Sequence, residues 1–410
     1  MTSPEPDPAP TGATIAENRA PAAADAPARR TLLHVFPTFA VGGSQVRLAT
    51  VANHFGSKYR HLIVALDGTY DCREKFGPDV DYRTVAVAQR KGKTRLGSLA
   101  ATVANWRAIR RVLAEQRPDV LITYNWGAIE WAIANHPWAG GKLCPHIHIE
   151  DGFGPEEIDR QLRRRVLTRR FALAGSDRVV LPSKTLFELA ATVWRVDRSI
   201  LQYLPNGIDC ARFGEAPDRT LLTRFGIAPD TPIVGTVAAL RPEKNLARML
   251  DAFAAADMQA TLLILGDGAD RERLENHAAA RGLGGKVVFA GHVERPDRAI
   301  GLFDLFALSS DTEQMPYSVL EAMAAGLPVA GIAVGDVRQM VAAENARFIV
   351  EPGADVTADL GAAIAGLLKD AETRRAIGEA NRRRAVETYD QAGMFEAYDT
   401  LFSDVAARSG

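Results

Sequence analysis

Ser310-Asp311-Thr312-Glu313-Gln314-Met315-Pro316-Tyr317-Ser318-Val319-Leu320-Glu321-Ala322-Met323-Ala324-Ala325-Gly326 is the stretch on which the fold turns. Proline suits a first helical turn and glycine a helix end, so this spacing predicts a short helix from about Pro316 to Ala325. The free N–H groups and positive dipole end at its start make an anion site. Glu313 stands in the loop before that end, and Glu321 lies about one turn inside, at roughly 1.5 Å of rise per residue. One carboxylate can then meet a group just beyond a bound diphosphate while the other meets a group on its far side. A sugar diphosphate nucleoside has hydroxyls in both places. The plain alternative is an exposed loop acid followed by a helix-surface acid.

Outward from this stretch, short apolar runs alternate with longer amphipathic ones, the pattern of β-α units in parallel sheets. One series of expected strands is Leu32 to Phe36, His61 to Ala65, Arg83 to Val87, Val120 to Thr123, His146 to Ile149 and Arg178 to Leu181. A second is Ile233 to Val237, Thr261 to Leu265, Val287 to Ala290, Leu305 to Leu308, Pro328 to Ala330 and Arg347 to Val350. Each series makes a doubly wound, Rossmann-like α/β domain. Pro205-Asn206-Gly207 between them reads as a turn. The expected organisation is a disordered tail over 1–29, a first domain over 30–205, a second over 206–385 and a closing helical segment over 386–410. Ligands of such sheets bind outside the carboxyl ends of the strands, so the active site is expected between the two domains.

At 410 residues the chain is long enough for two cores. A net charge of -1 gives no global pull toward nucleic acid. Cys72, Cys144 and Cys210 are odd in number and lack metal spacing. No run approaches the roughly 18 to 20 apolar residues that span a bilayer. These features point to a cytoplasmic protein with neither a disulfide framework nor a structural zinc. Asp-x-Asp is absent, and no metal or resident cofactor is expected.

Four further segments can carry chemistry. Arg241-Pro242-Glu243-Lys244 follows an expected strand and presents two cations, which neutralise a departing diphosphate. Gly266-Asp267-Gly268 opens like a dinucleotide turn, yet Arg271 holds the third glycine position, and both glycines read equally as turn residues or ligand contacts. Gly42-Gly43 lies between a strand and a helix, where backbone N–H groups can approach a phosphate. His146-Ile147-His148-Ile149 empties into the acidic turn Glu150-Asp151-Gly152-Phe153-Gly154, and His148 is read as a strand residue. Arg160, Arg163, Arg164, Arg165, Arg169 and Arg170 cluster on an expected helix whose apolar face is lined by Ile158, Leu162, Val166 and Leu173. They read as a solvated face, or as a dock for an anionic membrane or a lipid-diphosphate acceptor.

The stretch from Glu313 to Glu321, with Glu-Ala-Met-Ala-Ala-Gly-Leu-Pro-Val after it, resembles the Glu-x7-Glu signature of glycosyltransferase family 4. The resemblance covers about residues 31 to 405 and is similar in feel to bacterial envelope and exopolysaccharide enzymes. It implies the two-domain GT-B fold and retaining, metal-independent transfer of a hexose from a UDP- or GDP-sugar to a saccharide, lipid-linked or small-molecule acceptor. By the same resemblance Glu313 contacts the transferred sugar and Glu321 the ribose. Lys244 grips the donor phosphates, and Gln314, Met315, Pro316 and Tyr317 belong to the donor loop. Gly42, Gly43 and Gly266 line the donor, with backbone groups near Val293 reading the base. The family's usual phosphate arginine falls at Ala239, so Arg241 is the substitute. Asp151 departs from the usual histidine of Glu-His-Gly, which leaves Glu150 and Asp151 as the acceptor-side acids. The rivals are a nucleotide-sugar epimerase of the same fold, a non-catalytic nucleotide-sugar-binding subunit and a NAD-dependent oxidoreductase.

Overall fold

Apolar residues alternate with amphipathic helices as the periodicity requires, and the result is two mainly parallel sheets. The structure is a computed structural model and describes residues 17–18, 29–87, 95–153, 155–157 and 160–409. The first sheet holds β1 (Glu17–Asn18), β2 (Arg30–Phe36), β3 (Tyr59–Ala65), β4 (Asp81–Thr84), β5 (Val120–Tyr124), β6 (His146–Ile149), β7 (Arg178–Leu181) and β8 (Leu201–Tyr203), in the order β1-β4-β3-β2-β5-β6-β7-β8. The second holds β9 (Ile233–Val237), β10 (Thr261–Leu265), β11 (Val287–Gly291), β12 (Leu305–Leu308), β13 (Val329–Ile332) and β14 (Ile349–Val350), in the order β11-β10-β9-β12-β13-β14. In both, the strand order steps outward from the middle in two directions, as doubly wound sheets do. All twelve expected strands are present, with the third displaced from Arg83–Val87 to Asp81–Thr84.

Two strands were not expected. Leu201–Tyr203 is three residues long, too short for periodicity to register. Glu17–Asn18 lies within the stretch read as a tail and pairs antiparallel with Tyr82–Arg83. The remainder of residues 1–28 lies outside the described residues.

Contacts concentrate in two compact units. One comprises residues 1–149, 171–179 and 402–410, the other 150–170 and 180–401. The expected boundary at 205/206 follows chain order, whereas contacts group 150–170 and 180–205 with the second series. The reason is local. Asp336 accepts hydrogen bonds from the N–H groups of Lys184 and Thr185 at 2.6 and 2.9 Å, and Ser183 Oγ donates to Gln314 Oε1 at 2.9 Å. These bonds hold the start of the helix Lys184–Thr192.

Pro205-Asn206-Gly207 is a buried passage rather than a surface turn. Asn206 is 5% exposed and donates to the Met315 carbonyl at 2.9 Å. A Cβ at Gly207 would stand 2.8 Å from Met394 Cβ, so only glycine fits. The last residues, 402–410, belong to the first unit, with the Phe402 ring edge-on to Tyr59.

Candidate active site

In the second unit, β9 leads into a loop that is zipped to the turn after β10. Ala238 N–H donates to the Leu265 carbonyl and Leu240 N–H to that of Asp267, each at 3.0 Å. Gly266 has φ +134°, and a Cβ there would collide with the Ala238 carbonyl. Of its two readings, the structural one therefore has a direct physical cause: close backbone approach. Gly266 N–H donates to the Gly291 carbonyl at 2.9 Å, and Val293 lies two residues on, half-buried against the core.

The same loop ends on Asn245, a left-handed residue (φ +42°) whose Oδ1 caps the helix Leu246–Ala255 by accepting from Arg248 N–H. Asn245 Nδ2 also donates to Asp311 Oδ1 at 3.1 Å, and Arg248 pairs with Asp311 at 2.6 Å. These ties bring the cationic loop against the acidic one. Lys244 Nζ lies 2.6 Å from Glu313 Oε1, and Ser310 Oγ donates to the same oxygen at 2.8 Å. Residues 69 positions apart that sequence reasoning assigned to one donor are thus in contact. Arg241 is exposed and makes no side-chain hydrogen bond or ion pair among the described residues. Its carbonyl accepts from Lys244 N–H at 3.1 Å.

The helix after Glu313 runs Tyr317–Ala324, with Pro316 as its N-cap rather than inside its first turn. No side chain caps it, so its dipole end is open to an anion. Met315 and Pro316 are buried, and the Met315 side chain belongs to the hydrophobic core. What Met315 can offer a donor is backbone. The Gln314 carbonyl oxygen of the side chain is taken by Ser183, and its backbone carbonyl accepts from Asp336 N–H at 2.9 Å. Gly335, at φ +54°, lies against the backbone carbonyls of Glu313 and Gln314, where a Cβ would clash. Gly335 and Asp336 therefore set where Glu313 stands. Neither was picked out by sequence reasoning, because the contact joins loops after different strands.

Glu321 sits half-buried on the inner part of that helix. Burial pushes its carboxyl up from 4.5 to about 7; Arg212 pulls it down and Asp297 pushes it further up. Arg212 and Arg295 both pair with Asp297 at 2.7 Å. That group holds the Asp297 carboxyl well below the usual range, against its own burial.

Of the two acids read as acceptor-side, Glu150 lies in the interior and Asp151 nearer the surface. Glu150 is fully buried, with Oε2 3.6 Å from Arg169 Nε. Arg169 is fully buried too and grips both oxygens of Glu157, at 3.1 and 2.9 Å, while its guanidinium lies 4.7 Å from the Trp194 ring centre and 5.4 Å from that of Phe153. Arg165 pairs with Glu156 and Glu157. Glu150 thus stands among the ion cluster of Arg169, Glu157 and Arg165, where its carboxylate faces a buried guanidinium. Asp151 is half-buried. The basic helix, observed as Arg163–Leu173, is correspondingly not one solvated face: Arg165 and Arg169 turn inward, and Arg163, Arg164 and Arg170 remain outside. Gly154 and Ile158 lie outside the described residues.

In the first unit, Gly42 is the extended N-cap (φ -164°) of the helix Gly43–Phe55, with no side-chain cap. Gln45 Nε2 donates to the Thr38 carbonyl at 2.9 Å and braces the loop. His148 is fully buried, 2.8 Å from Thr123 Oγ1, as a strand residue should be. Among the described residues no group of three His, Cys, Asp or Glu side chains could hold a metal.

Two family models divide the chain between them: Glycosyltransferase Family 4 matches residues 41–212 and Glycosyl transferases group 1 matches 219–384. The 2-deoxystreptamine N-acetyl-D-glucosaminyltransferase of Streptomyces fradiae is 27% identical over 363 residues, 82% of this chain and 85% of that protein. The D-inositol 3-phosphate glycosyltransferase of Geodermatophilus obscurus is 26% identical over 366 residues, 81% and 76% of the two chains. Among solved structures, Anabaena Alr3699/HepE in complex with UDP superimposes with a TM-score of 0.75 at 18% identity, covering 92% of this chain and all of that one.

Proposed function

The chain belongs to glycosyltransferase family 4 and has the GT-B fold, and on that premise we propose that it is a retaining, metal-independent hexosyltransferase using a UDP- or GDP-sugar. The observation that carries the proposal is the contact of Lys244 with Glu313 at the open end of the helix Tyr317–Ala324, with Glu321 farther along the same helix. The N–H groups at that end bind the diphosphate, Lys244 moves its charge from Glu313 to a phosphate oxygen, and Arg241 adds a second cation from its exposed position. Glu313, released from Lys244, accepts from hydroxyls of the sugar, and Glu321 accepts from the ribose. The C1–O bond to the diphosphate breaks and a bond from the acceptor oxygen forms on the same face. The acceptor's proton leaves with the nucleoside diphosphate. The cations and helix end act as charge accumulates on the leaving group, where preorganised charge is most effective.

The acceptor is a saccharide, a lipid-linked sugar or a small molecule; the S. fradiae relative is named for 2-deoxystreptamine. No helix among the described residues is long and apolar enough to cross a membrane. A cytoplasmic site with peripheral docking is supported by the outer face of the helix Arg163–Leu173, where Arg163, Arg164 and Arg170 flank Leu167 and Phe171, 64% and 42% exposed. Salt-sensitive binding to anionic vesicles, lost when those three arginines are changed to Glu, checks it. The transfer itself is tested by nucleotide release from UDP- and GDP-sugars with and without acceptor, and by NMR of the product's anomeric centre. Inversion at C1 would overturn the retaining assignment, and release of free epimer without acceptor would overturn transfer.

A further inference from the structure

Within the first unit, a cavity of about 700 Å³ opens at the amino ends of β5, β6 and β7, where Asp119, Pro145 and Asp177 each precede a strand. Molecules that react on doubly wound sheets sit at the carboxyl ends, so this cavity is separate from the edge that carries Gly42. Its volume lies within the roughly 300 to 1,000 Å³ of small-molecule sites. One wall is braced from behind. Asn135, 1% exposed, accepts from Leu143 N–H at 2.9 Å and donates to the Cys144 carbonyl at 2.8 Å. Arg110 donates to the carbonyls of Ala134, Gly140 and Gly141. This bracing holds the Leu143 side chain, 42% exposed, on the cavity lining.

Both carboxylates on the lining are met by donors of the protein. Asp177 Oδ2 accepts from Lys142 Nζ and, at 2.7 Å, from His146 N–H, while Asp119 Oδ2 accepts from Thr31 N–H at 2.6 Å. Arg117 and Arg408, both exposed, line the same cavity and make no side-chain hydrogen bond or ion pair among the described residues. Arg117 follows the helix Arg95–Gln116 in the left-handed region, at φ +43°, with its N–H on the Leu113 carbonyl at 3.0 Å. Glycine takes such a position without strain, so the arginine occupies it against a backbone cost. The remaining wall includes Leu113, Pro118, Leu143, Cys144 and Pro145 and is apolar. Cys144 offers surface there rather than a nucleophile, because burial pushes its thiol up to about 12.

We propose that this cavity binds a phosphate monoester with a flat apolar body, held as a ligand and not as a reactant. The guanidiniums of Arg117 and Arg408 donate to the phosphate oxygens, and the ring packs on Leu143, Pro118 and Pro145. Charge decides between anions. Two guanidiniums without partners match a phosphate monoester, which carries about -1.5 to -2 at pH 7, whereas a carboxylate answers only one of them. The site stands independently of the transferase reading.

Calorimetry on the full chain, with phenyl phosphate, inorganic phosphate, benzoate and phenol, tests it. Phenyl phosphate is expected to bind about tenfold or more tightly than each of the other three, and to raise Tm by mass action. Arg117→Gly, which accepts the left-handed backbone and removes the guanidinium, and Arg408→Gln are each expected to weaken phenyl phosphate by about tenfold. Leu143→Ser is expected to weaken phenyl phosphate and leave inorganic phosphate unchanged. Lys244→Ala, in the second unit, is expected to leave phenyl phosphate affinity as it is. A ligand-free Tm near wild type shows that each variant is folded. Absence of saturable phenyl phosphate binding, an affinity unmoved by either arginine substitution, or binding lost with Lys244→Ala would each overturn the site. Benzoate or inorganic phosphate binding as tightly as phenyl phosphate would overturn the ligand class.

Discussion

Lys244 with Glu313 and Arg169 with Glu157 are the same kind of ion pair, at 2.6 and 2.9 Å, yet the first pair's side chains are 26% and 12% exposed while the second pair's are fully buried. Burial decides what each pair can do. A partly solvated pair contributes about 0 to 1 kcal/mol, so its partners can be exchanged for a substrate's charges at little cost. A sealed pair cannot be opened without stranding a charge, so it serves as fixed scaffolding. One chemistry thus yields a reactive contact and a structural one.

The largest expected effect breaks the sealed member. Glu157→Ala removes the carboxylate that grips the buried Arg169 guanidinium through both oxygens and is expected to destabilise the fold by about 3–5 kcal/mol, read by denaturant unfolding. Lys244→Ala is the counterpart: stability within about 1 kcal/mol of wild type, but donor binding and transfer weakened together by about 1.5–3 kcal/mol. A Lys244→Ala protein as unstable as Glu157→Ala would erase the distinction.

Glu313→Gln sharpens the comparison within the site. Turnover at saturating donor should fall strongly while free nucleoside diphosphate affinity stays near wild type, whereas Glu321→Gln should weaken nucleotide and donor alike. Reversal of that pattern would exchange the two roles.

Glu321 adds a pH signature. Its carboxyl is raised in the fold from 4.5 to about 7, so the stability it contributes is fully present below 4.5 and lost as pH rises through about 7. Glu321→Gln is therefore expected to have a higher Tm than wild type at pH 8 without ligand, although it binds nucleotide less well. In wild type, nucleotide affinity should fall as pH drops below 7 if Glu321 accepts from the ribose hydroxyls as proposed. The smallest expected effect is that of EDTA, which should leave turnover unchanged if Lys244, Arg241 and the helix end supply the positive charge as proposed. An absolute requirement for magnesium or manganese would refute this.

The strands were legible because they depend on local period, and Glu313 and Lys244 because each stands in a short motif of its own that points to the same donor. Sealing was not. Arg169 sits in a run of arginines that reads as a solvated face, and only the positions of Trp194, Phe153 and Glu157 show that it is enclosed. The Arg212–Asp297 pair that tunes Glu321 joins residues 85 apart, and no spacing rule connects them. Asn206 looked like turn chemistry because its side-chain partner, the Met315 carbonyl, lies 109 positions away. Gly266 and Gly268 had both readings open, and their close backbone approach to Ala238 and Leu240 supplies a cause for the structural one.

The turn at Gly335-Asp336 bears on how this enzyme could be rebuilt. Because Gly335 abuts the carbonyls of Glu313 and Gln314, and Asp336 grips both Gln314 and the start of the helix Lys184–Thr192, the portable block for exchanging donor preference between relatives is larger than the signature stretch 310–326. A chimera that swaps only that stretch inherits a host turn cut to a different backbone, and its glutamate lands off register. Carrying residues 310–336 together, with 183–185 matched to them, moves the carboxylate along with the surfaces that aim it.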